Sequence, residues 1–341
     1  MQGDVSIDQL SLFPIDSASQ TSRDAAAGQD ALDRRFDELR TIAEALPPTL
    51  RMGTSSWSFP GWRGIVYPGA ATPGHLAREG LRDYAKHPLL RTVGIDRTYY
   101  APVGAEEWQR YAAQLPSDFL CCIKAPASVT SFTVPGPDAT PNPDFLDAER
   151  FIDELIAPCR EHFAAHTGPF LLQFPPLRRR AQLDPAAFAE MLDRFLDRLP
   201  REGDYAVEIR DRTLLTETYR RVLARNGAVH VCNYWSAMPM PGEQADLVDH
   251  LSAPFTVVRL LLRPGTRYQQ QRETMAPFNR IVQQDEHMRR DTAAVLGRAM
   301  TAGQTAYLLV NNKAEGSSPL TIESLARRLA TVDRSAREGL G

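Results

Sequence analysis

Three side chains near the ends of apolar segments have the chemistry of an acid–base catalyst. Asp96 follows T-V-G-I, Lys124 ends L-C-C-I-K, and Glu208 lies in A-V-E-I-R. A carboxylate can serve as an acid, a base or a metal ligand, and a desolvated lysine can serve as a base or hold phosphate as a point charge. These three residues are the predicted catalytic set. The alternative for the carboxylates is an ion-pair network without chemistry, which also perturbs pKa values.

Further polar and aromatic side chains at the ends of the same segments are suited to hold a ligand. Alternation along a strand puts Glu208 and Arg210 on one face, and the planar guanidinium of Arg210 matches carboxylate or phosphate. Arg259 lies inside an apolar run and must be paired or face the interior. Trp57 and Tyr99 can stack on a base. The predicted ligand-binding residues are Ser55, Trp57, Tyr99, Gln173, Arg210, Arg259, Asn311 and Lys313.

The cations in this set indicate an anionic, phosphate-bearing ligand, although the chain has a net charge of −3. A divalent metal has weak support, because only two carboxylates and no well-placed histidine occupy these positions. No cofactor is predicted. The four cysteines make no C-x-x-C pair, so a disulfide framework or structural zinc is not expected, and they are predicted to be small core residues.

The elements that must position these residues alternate regularly along the chain. Short apolar runs typical of strands buried on both faces are separated by segments of helical periodicity. Eight such units in one domain-sized stretch predict an α/β fold, a TIM-like (β/α)₈ barrel, with a doubly wound open sheet as the competing topology. No Gly-rich nucleotide loop follows the first strand, which favours the barrel. The predicted strands are 50–55, 91–96, 119–124, 169–174, 204–209, 228–233, 255–262 and 305–311.

Four segments are predicted along the 341 residues. Residues 1–28 are polar and rich in small side chains, as in a disordered tail. Helical periodicity predicts a helix over 29–48, ended by Pro47-Pro48, and the barrel follows over 49–333 with a short tail at 334–341. No apolar run has the length of a membrane span and no leader pattern is visible, so a cytoplasmic protein without a membrane partner is expected.

The predicted tail contains a second kind of signal, the pentapeptide Q-L-S-L-F formed by Gln9, Leu10, Ser11, Leu12 and Phe13. It resembles the peptide by which bacterial polymerases and repair proteins bind the β sliding clamp. Leu12 and Phe13 would fill an apolar pocket while Gln9 makes hydrogen bonds at its rim. The resemblance implies the β sliding clamp as a partner. A chance match, or a tail strand packed on its own domain, is the alternative.

The barrel segment resembles the YecE-like family, a domain of unknown function, over about residues 50–330. The similarity lies in G-T-S-S-W-S-F-P-G-W-R-G, C-I-K-A-P, L-L-Q-F-P-P, A-V-E-I-R-D and V-N-N-K-A-E-G-S-S-P. It implies a TIM-like barrel and no settled reaction. The chain departs from the family pattern where Gly94 replaces Glu, Asp96 replaces Asn, Leu261 replaces His and Lys313 replaces His. Two histidines are thus lost and the site is expected to be divergent.

Two main functional hypotheses follow. In the first, the protein is a DNA-metabolism accessory protein tethered to the clamp, whose barrel binds nucleic acid or another phosphate-bearing ligand. Hydrolysis of a phosphodiester is the reaction that this hypothesis allows. In the second, it is a small-molecule enzyme acting on a phosphorylated sugar or sugar acid, with Lys124 or Glu208 as the base. A barrel that binds without catalysis is a third hypothesis.

Overall fold

The computed structural model describes residues 17–134, 140–176 and 183–338, with side chains described over 26–134, 140–176 and 183–331. Eight strands close into one barrel in the order β1 to β8, and every neighbouring pair is parallel. The predicted α/β fold, a TIM-like barrel, is therefore confirmed. The strands are β1 Leu50–Thr54, β2 Thr92–Ile95, β3 Leu120–Lys124, β4 Thr167–Gln173, β5 Tyr205–Glu208, β6 Val229–Tyr234, β7 Phe255–Leu260 and β8 Thr305–Val310.

Helices lie between the strands and around the barrel. A π-helical turn, Ile152–Ile156, joins the helix that ends at Phe151 to the one that begins at Ala157. The helices are α1 Ser17–Glu44, α2 Pro73–Glu79, α3 Leu81–Tyr84, α4 Ala105–Ala112, α5 Ala127–Thr130, α6 Ala148–Phe151, α7 Ala157–His162, α8 Pro185–Asp197, α9 Glu217–Asn226, α10 Pro241–Val248, α11 Tyr268–Met275, α12 Glu286–Thr301 and α13 Ser318–Glu338.

Two apolar clusters hold the barrel together, because its strands are buried on both faces. The larger cluster fills the space between strands and helices. The smaller cluster fills the barrel interior, so the barrel is a packed core and not a pore. Its members are Cys122, Leu171, Ala206, Val229, Val231, Phe255, Val257, Tyr307 and Leu309. Every second residue of a strand therefore faces the barrel axis.

Strands β1 and β2 approach closely, and glycine permits this approach. A Cβ atom on Gly53 would lie 1.8 Å from the carbonyl oxygen of Thr92, and one on Gly94 would lie 2.7 Å from that of Ser55. Both positions face the interior by alternation. Because residue 94 has no side chain, backbone atoms of these two strands fill the interior beneath Asp96.

The N-terminal helix is longer than the sequence predicts. It begins at Ser17, whereas periodicity indicates a start near residue 29, so the predicted tail 1–28 overlaps it over residues 17–28. Residues 17–31 carry no apolar stripe by which a helix is recognised. Farther along α1, Leu32, Phe36 and Leu39 are buried in the larger cluster. No helix in the described part of the chain is long and apolar enough to cross a bilayer.

Candidate functional site

The carboxyl-terminal ends of the strands bring polar and charged side chains together above the apolar interior. Register places Gln173 beside Glu208 on neighbouring strands, and Asn233 beside Arg259. In a barrel of this type, side chains at these ends form the functional site. We call this set the mouth: Ser55, Asp96, Lys124, Gln173, Glu208, Arg210, Asn233 and Arg259.

Glu208 is the electrostatic centre of the mouth. Its side chain is completely buried and forms ion pairs with Arg210 (2.7 Å from Nε to Oε1) and with Arg259. Burial alone raises the pKa of Glu208, but the two guanidinium charges outweigh burial and lower that pKa to about 2. Glu208 is therefore an anion at every physiological pH, and both its oxygens are occupied by arginines. Glu208 is therefore better suited to be a fixed charge that positions the two arginines than to be a general base.

Arg210 links three of the mouth side chains. Besides its bond to Glu208, its Nη2 donates to Oε1 of Gln173 at 2.7 Å, and its guanidinium carbon lies 4.2 Å from the ring centroid of Trp235. Its side chain is 14% exposed. A guanidinium has five N–H donors, so donors remain available beyond these two bonds. Arg210 is thus oriented by a carboxylate, an amide and an aromatic face while part of it reaches the surface.

Lys124 ends β3 in a different environment. Its side chain is 7% exposed, and its Nζ lies 3.7 Å from the ring centroid of Tyr99. Burial lowers the pKa of Lys124 to about 8; the charge of Asp96 raises it, and those of Arg259 and Arg210 lower it further. Within the described ranges, no carboxylate lies within ion-pair distance of this amine. Lys124 is therefore a desolvated amine held by an aromatic ring.

Several buried polar atoms of the mouth have no hydrogen-bond partner among the described residues. Asp96 lies 4.0 Å from Nη2 of Arg259, beyond hydrogen-bond distance, and its side chain is 32% exposed. Buried polar groups are normally paired, so unpaired ones clustered at one site favour a polar ligand. The atoms concerned are Oγ of Ser55, Oδ1 of Asp96, Oδ1 of Asn233 and Nε of Arg259.

The loop after β8 adds another cation over an aromatic ring. Lys313 lies with its Nζ 4.3 Å from the ring centroid of Tyr268. The side chain of Asn311 accepts a hydrogen bond from the backbone N–H of Lys313, so it caps the short helical turn at 312–314. The neighbouring Asn312 accepts hydrogen bonds from Trp62 and Ser318. The predicted amide at 311 thus shapes the loop that carries Lys313.

Residues 263–280, between β7 and α12, form an exposed basic segment beside this loop. Phe278 packs on Phe59 with ring centroids 5.7 Å apart, and the carbonyl of Pro277 lies where a side chain on Gly61 would be. The segment therefore packs on the loop after β1. It contains Arg263, Arg267, Arg272 and Arg280 against one carboxylate, Glu273.

The predicted site residues do not all meet. Lys124, Glu208, Arg210, Arg259, Gln173, Asp96 and Tyr99 form one connected cluster through the contacts above. Trp57 does not join it: its indole N–H donates to the carbonyl of Leu76 at 2.8 Å, and its ring packs on Tyr111. The structure therefore places Trp57 in the core between barrel and helices.

Sequence reasoning passed over two aromatic residues that contact the cations, Trp235 and Tyr268. Trp235 directly follows β6, a position that could have identified it as part of the mouth. Tyr268 lies in a polar segment without periodicity and carried no comparable signal. The pentapeptide Gln9–Phe13 lies outside the described residues. In the described ranges, no three His, Cys, Asp or Glu side chains come together closely enough to hold a metal ion.

Comparison with known proteins gives the chain a family. Residues 51–339 match the family described as "Protein of unknown function DUF72", which is most of the chain. The chain belongs to the DUF72 family. The predicted barrel of unknown function is confirmed at this level. No curated protein matches the chain.

Solved DUF72 structures share the fold. A DUF72 family protein from Thermotoga maritima is 18% identical with a TM-score of 0.58, covering 82% of this chain and 98% of its own. A DUF72 family protein from Enterococcus faecalis, solved twice, is 13% and 14% identical with TM-scores of 0.54 and 0.53. The two structures cover 82% and 83% of this chain, and 95% and 96% of their own. Identities this low support the barrel alone.

Proposed function

We propose that this DUF72 protein binds a phosphate-bearing ligand at the mouth of its barrel and works as an accessory protein of DNA metabolism, tethered to the β sliding clamp by Gln9–Phe13. The observation that carries the ligand proposal is the charge of the strand ends. Among the described residues of the mouth, three cations, Lys124, Arg210 and Arg259, accompany two carboxylates, Asp96 and Glu208, which leaves an excess of one positive charge. Lys313 adds a further cation on the loop after β8. Such a local excess in an acidic protein attracts an anion.

Aromatic residues around the cations support a ligand that carries a ring. Trp235 lies against Arg210, and Tyr99 lies against Lys124. Tyr100 and Tyr268 are 82% and 54% exposed. Exposed aromatic faces beside cations are typical of sites that stack bases while holding backbone phosphates. The basic segment 263–280 adds charge beside Lys313, which lies over Tyr268 of that segment.

The state of Glu208 favours binding over hydrolysis with Glu208 as the base. Its low pKa makes it a poor proton acceptor, and Arg210 and Arg259 occupy its oxygens. The second candidate, an enzyme acting on a phosphorylated sugar, is favoured by one observation: Lys124 is a buried amine without a carboxylate partner among the described residues. Both candidates need the same anion site.

Calorimetric titration with two probes tests the proposal: ribose 5-phosphate and short single-stranded oligothymidylate. Replacing Lys124 by Met removes the charge and keeps a side chain of similar length. Because a charge-assisted contact contributes about 1.5–3 kcal/mol, phosphate binding should weaken about 10- to 100-fold. Lys86→Met is the matched control, because Lys86 is exposed and paired with Asp83. Binding of neither probe, or equal binding by both variants, overturns the site.

Salt separates the two ligand classes. If nucleic acid is the ligand, oligothymidylate binds more tightly than ribose 5-phosphate and weakens steeply between about 50 and 200 mM salt. If ribose 5-phosphate binds while the oligonucleotide does not, the small-molecule candidate replaces the DNA role.

A further inference from the structure

The chain uses lysine sparingly, and two of its lysines lie at strand ends. Of 39 basic residues only Lys86, Lys124 and Lys313 are lysines, and the other 36 are arginines. Arginine binds phosphate as well or better through its planar fork, but it cannot lose its proton in a protein. Lys124 therefore differs from the arginines of the chain in one chemical property: its amine can lose a proton and become neutral.

The surroundings of Lys124 differ from those of Lys86. Lys86 is exposed and bonded to Asp83 at 2.8 Å. Lys124 is 7% exposed, lies over the Tyr99 ring and makes no ion pair within the described ranges. A carboxylate partner would stabilise the ammonium form of Lys124, and none of the described carboxylates is in contact with its amine. With its pKa near 8, about a quarter of the Lys124 amine is neutral at about pH 7.5.

We propose that Lys124 is a covalent site for an aldehyde or ketone that also carries a phosphate or other anionic group. This inference rests on the anion site of the proposed function. The neutral amine attacks the carbonyl carbon, and the amine proton moves to the carbonyl oxygen to give a carbinolamine. Gain of one proton and loss of water then leave a protonated imine joined to Nζ. No electrons are exchanged, and the only by-product is water.

The neighbouring groups have roles in this step. Arg210 and Arg259 hold the anionic group and, as cations, disfavour the ammonium form of Lys124. Asp96 is partly exposed and its charge acts on Lys124, so we assign to it the transfer of the proton to the departing hydroxyl. Tyr99 positions the amine through its ring face.

Reductive trapping tests the proposal on the full chain. Pyridoxal 5′-phosphate is the probe, since it carries both an aldehyde and a phosphate, and borohydride converts an imine into a stable secondary amine. With three lysines and the amino terminus, peptide mass spectrometry can measure every site. We expect Lys124 to be labelled at least about 10-fold faster than Lys86, because burial lowers the pKa of Lys124 and leaves part of its amine neutral. Inorganic phosphate should compete, and pyridoxal without phosphate should label Lys124 poorly.

Two variants and one binding measurement keep the outcomes distinct. Lys124→Arg should keep the fold, checked by thermal unfolding, and lose the label, whereas Lys86→Arg should keep the label at residue 124. Equal labelling of Lys86 and Lys124, or none at Lys124, overturns the covalent site. Titration with pyridoxine 5′-phosphate, which has no carbonyl, separates this failure from that of the proposed function. If it binds while Lys124 stays unlabelled, only the covalent step is wrong; if it does not bind, the anion site is wrong too.

Discussion

At the scale of single residues, a buried anion organises the cations of the mouth. Glu208 lies between two arginines, so its removal would leave two guanidinium groups without their carboxylate. Breaking one side of a buried ion pair is costly, because the remaining charge stays desolvated. The same anion holds Arg210 against Trp235 and Gln173. Glu208 thus acts on a ligand through the arginines that it positions.

Glu208→Gln is expected to lower the free energy of unfolding by about 3–5 kcal/mol at pH 7. Because the folded pKa of Glu208 is below its ordinary value, its stabilisation is complete above about pH 4.5 and is lost as the pH falls towards 2. The difference in the free energy of unfolding between wild type and variant should therefore become smaller as the pH falls over that range. Urea denaturation at several pH values measures this difference.

Glu217→Gln is the matched control. Glu217 also pairs with two arginines, Arg220 and Arg221, but on the exposed surface of α9. Exposed ion pairs contribute little. If Glu208→Gln and Glu217→Gln lower the free energy of unfolding equally, Glu208 is not the buried electrostatic centre of the mouth.

At the scale of elements, the strands determine which side chains meet. Alternation along β5 correctly puts Glu208 and Arg210 on one face, and apolar runs locate all eight strands within two residues or so at each end. Loops follow no such period, so the direction of Trp57 could not be read from the sequence. Helix α11 was not predicted either, because in Y-Q-Q-Q-R-E-T-M only Gln271 and Met275 are buried.

The contact between β1 and β2 gives a prediction at this scale. In Gly53→Ala the new Cβ would lie 1.8 Å from the Thr92 carbonyl oxygen, so the two strands must separate. We expect the free energy of unfolding to fall by about 3 kcal/mol. The midpoint and slope of a chemical denaturation curve measure this loss of stability.

Gly297→Ala serves as the control for that substitution. Gly297 lies within α12 with open space around its Cβ position. Alanine there should stabilise the protein by about 0.5–1 kcal/mol, as in other helix interiors. A neutral Gly53→Ala would show that β1 and β2 are not so closely packed.

At the scale of the whole molecule, the chain combines a barrel with a peptide that lies outside the family match. Gln9–Phe13 precedes residue 51, where the similarity to DUF72 begins. The barrel and its ligand site should therefore work without the peptide, and the peptide should bind without the mouth. The two halves of the proposed function can be tested separately.

For the peptide, the double variant Leu12→Ala/Phe13→Ala should abolish retention of the full chain on immobilised β sliding clamp, because the two apolar anchors are removed. Val5→Ala/Ile7→Ala, in the same segment, should be retained like wild type. Pull-down followed by quantitative blotting compares them. Equal retention of both double variants, or no retention of wild type, would show that the clamp is not a partner and would leave the proposed anion site unaffected.

A crystal of the full chain soaked in tungstate, a heavy analogue of phosphate, would show directly whether the mouth is an anion site. We expect an anomalous peak among Lys124, Arg210 and Arg259, with a donor of Arg210 at about 3 Å from a tungstate oxygen. The peak should weaken in Lys124→Met. Tungstate bound only at other arginines of the surface, with none at the strand ends, would contradict the proposed anion site.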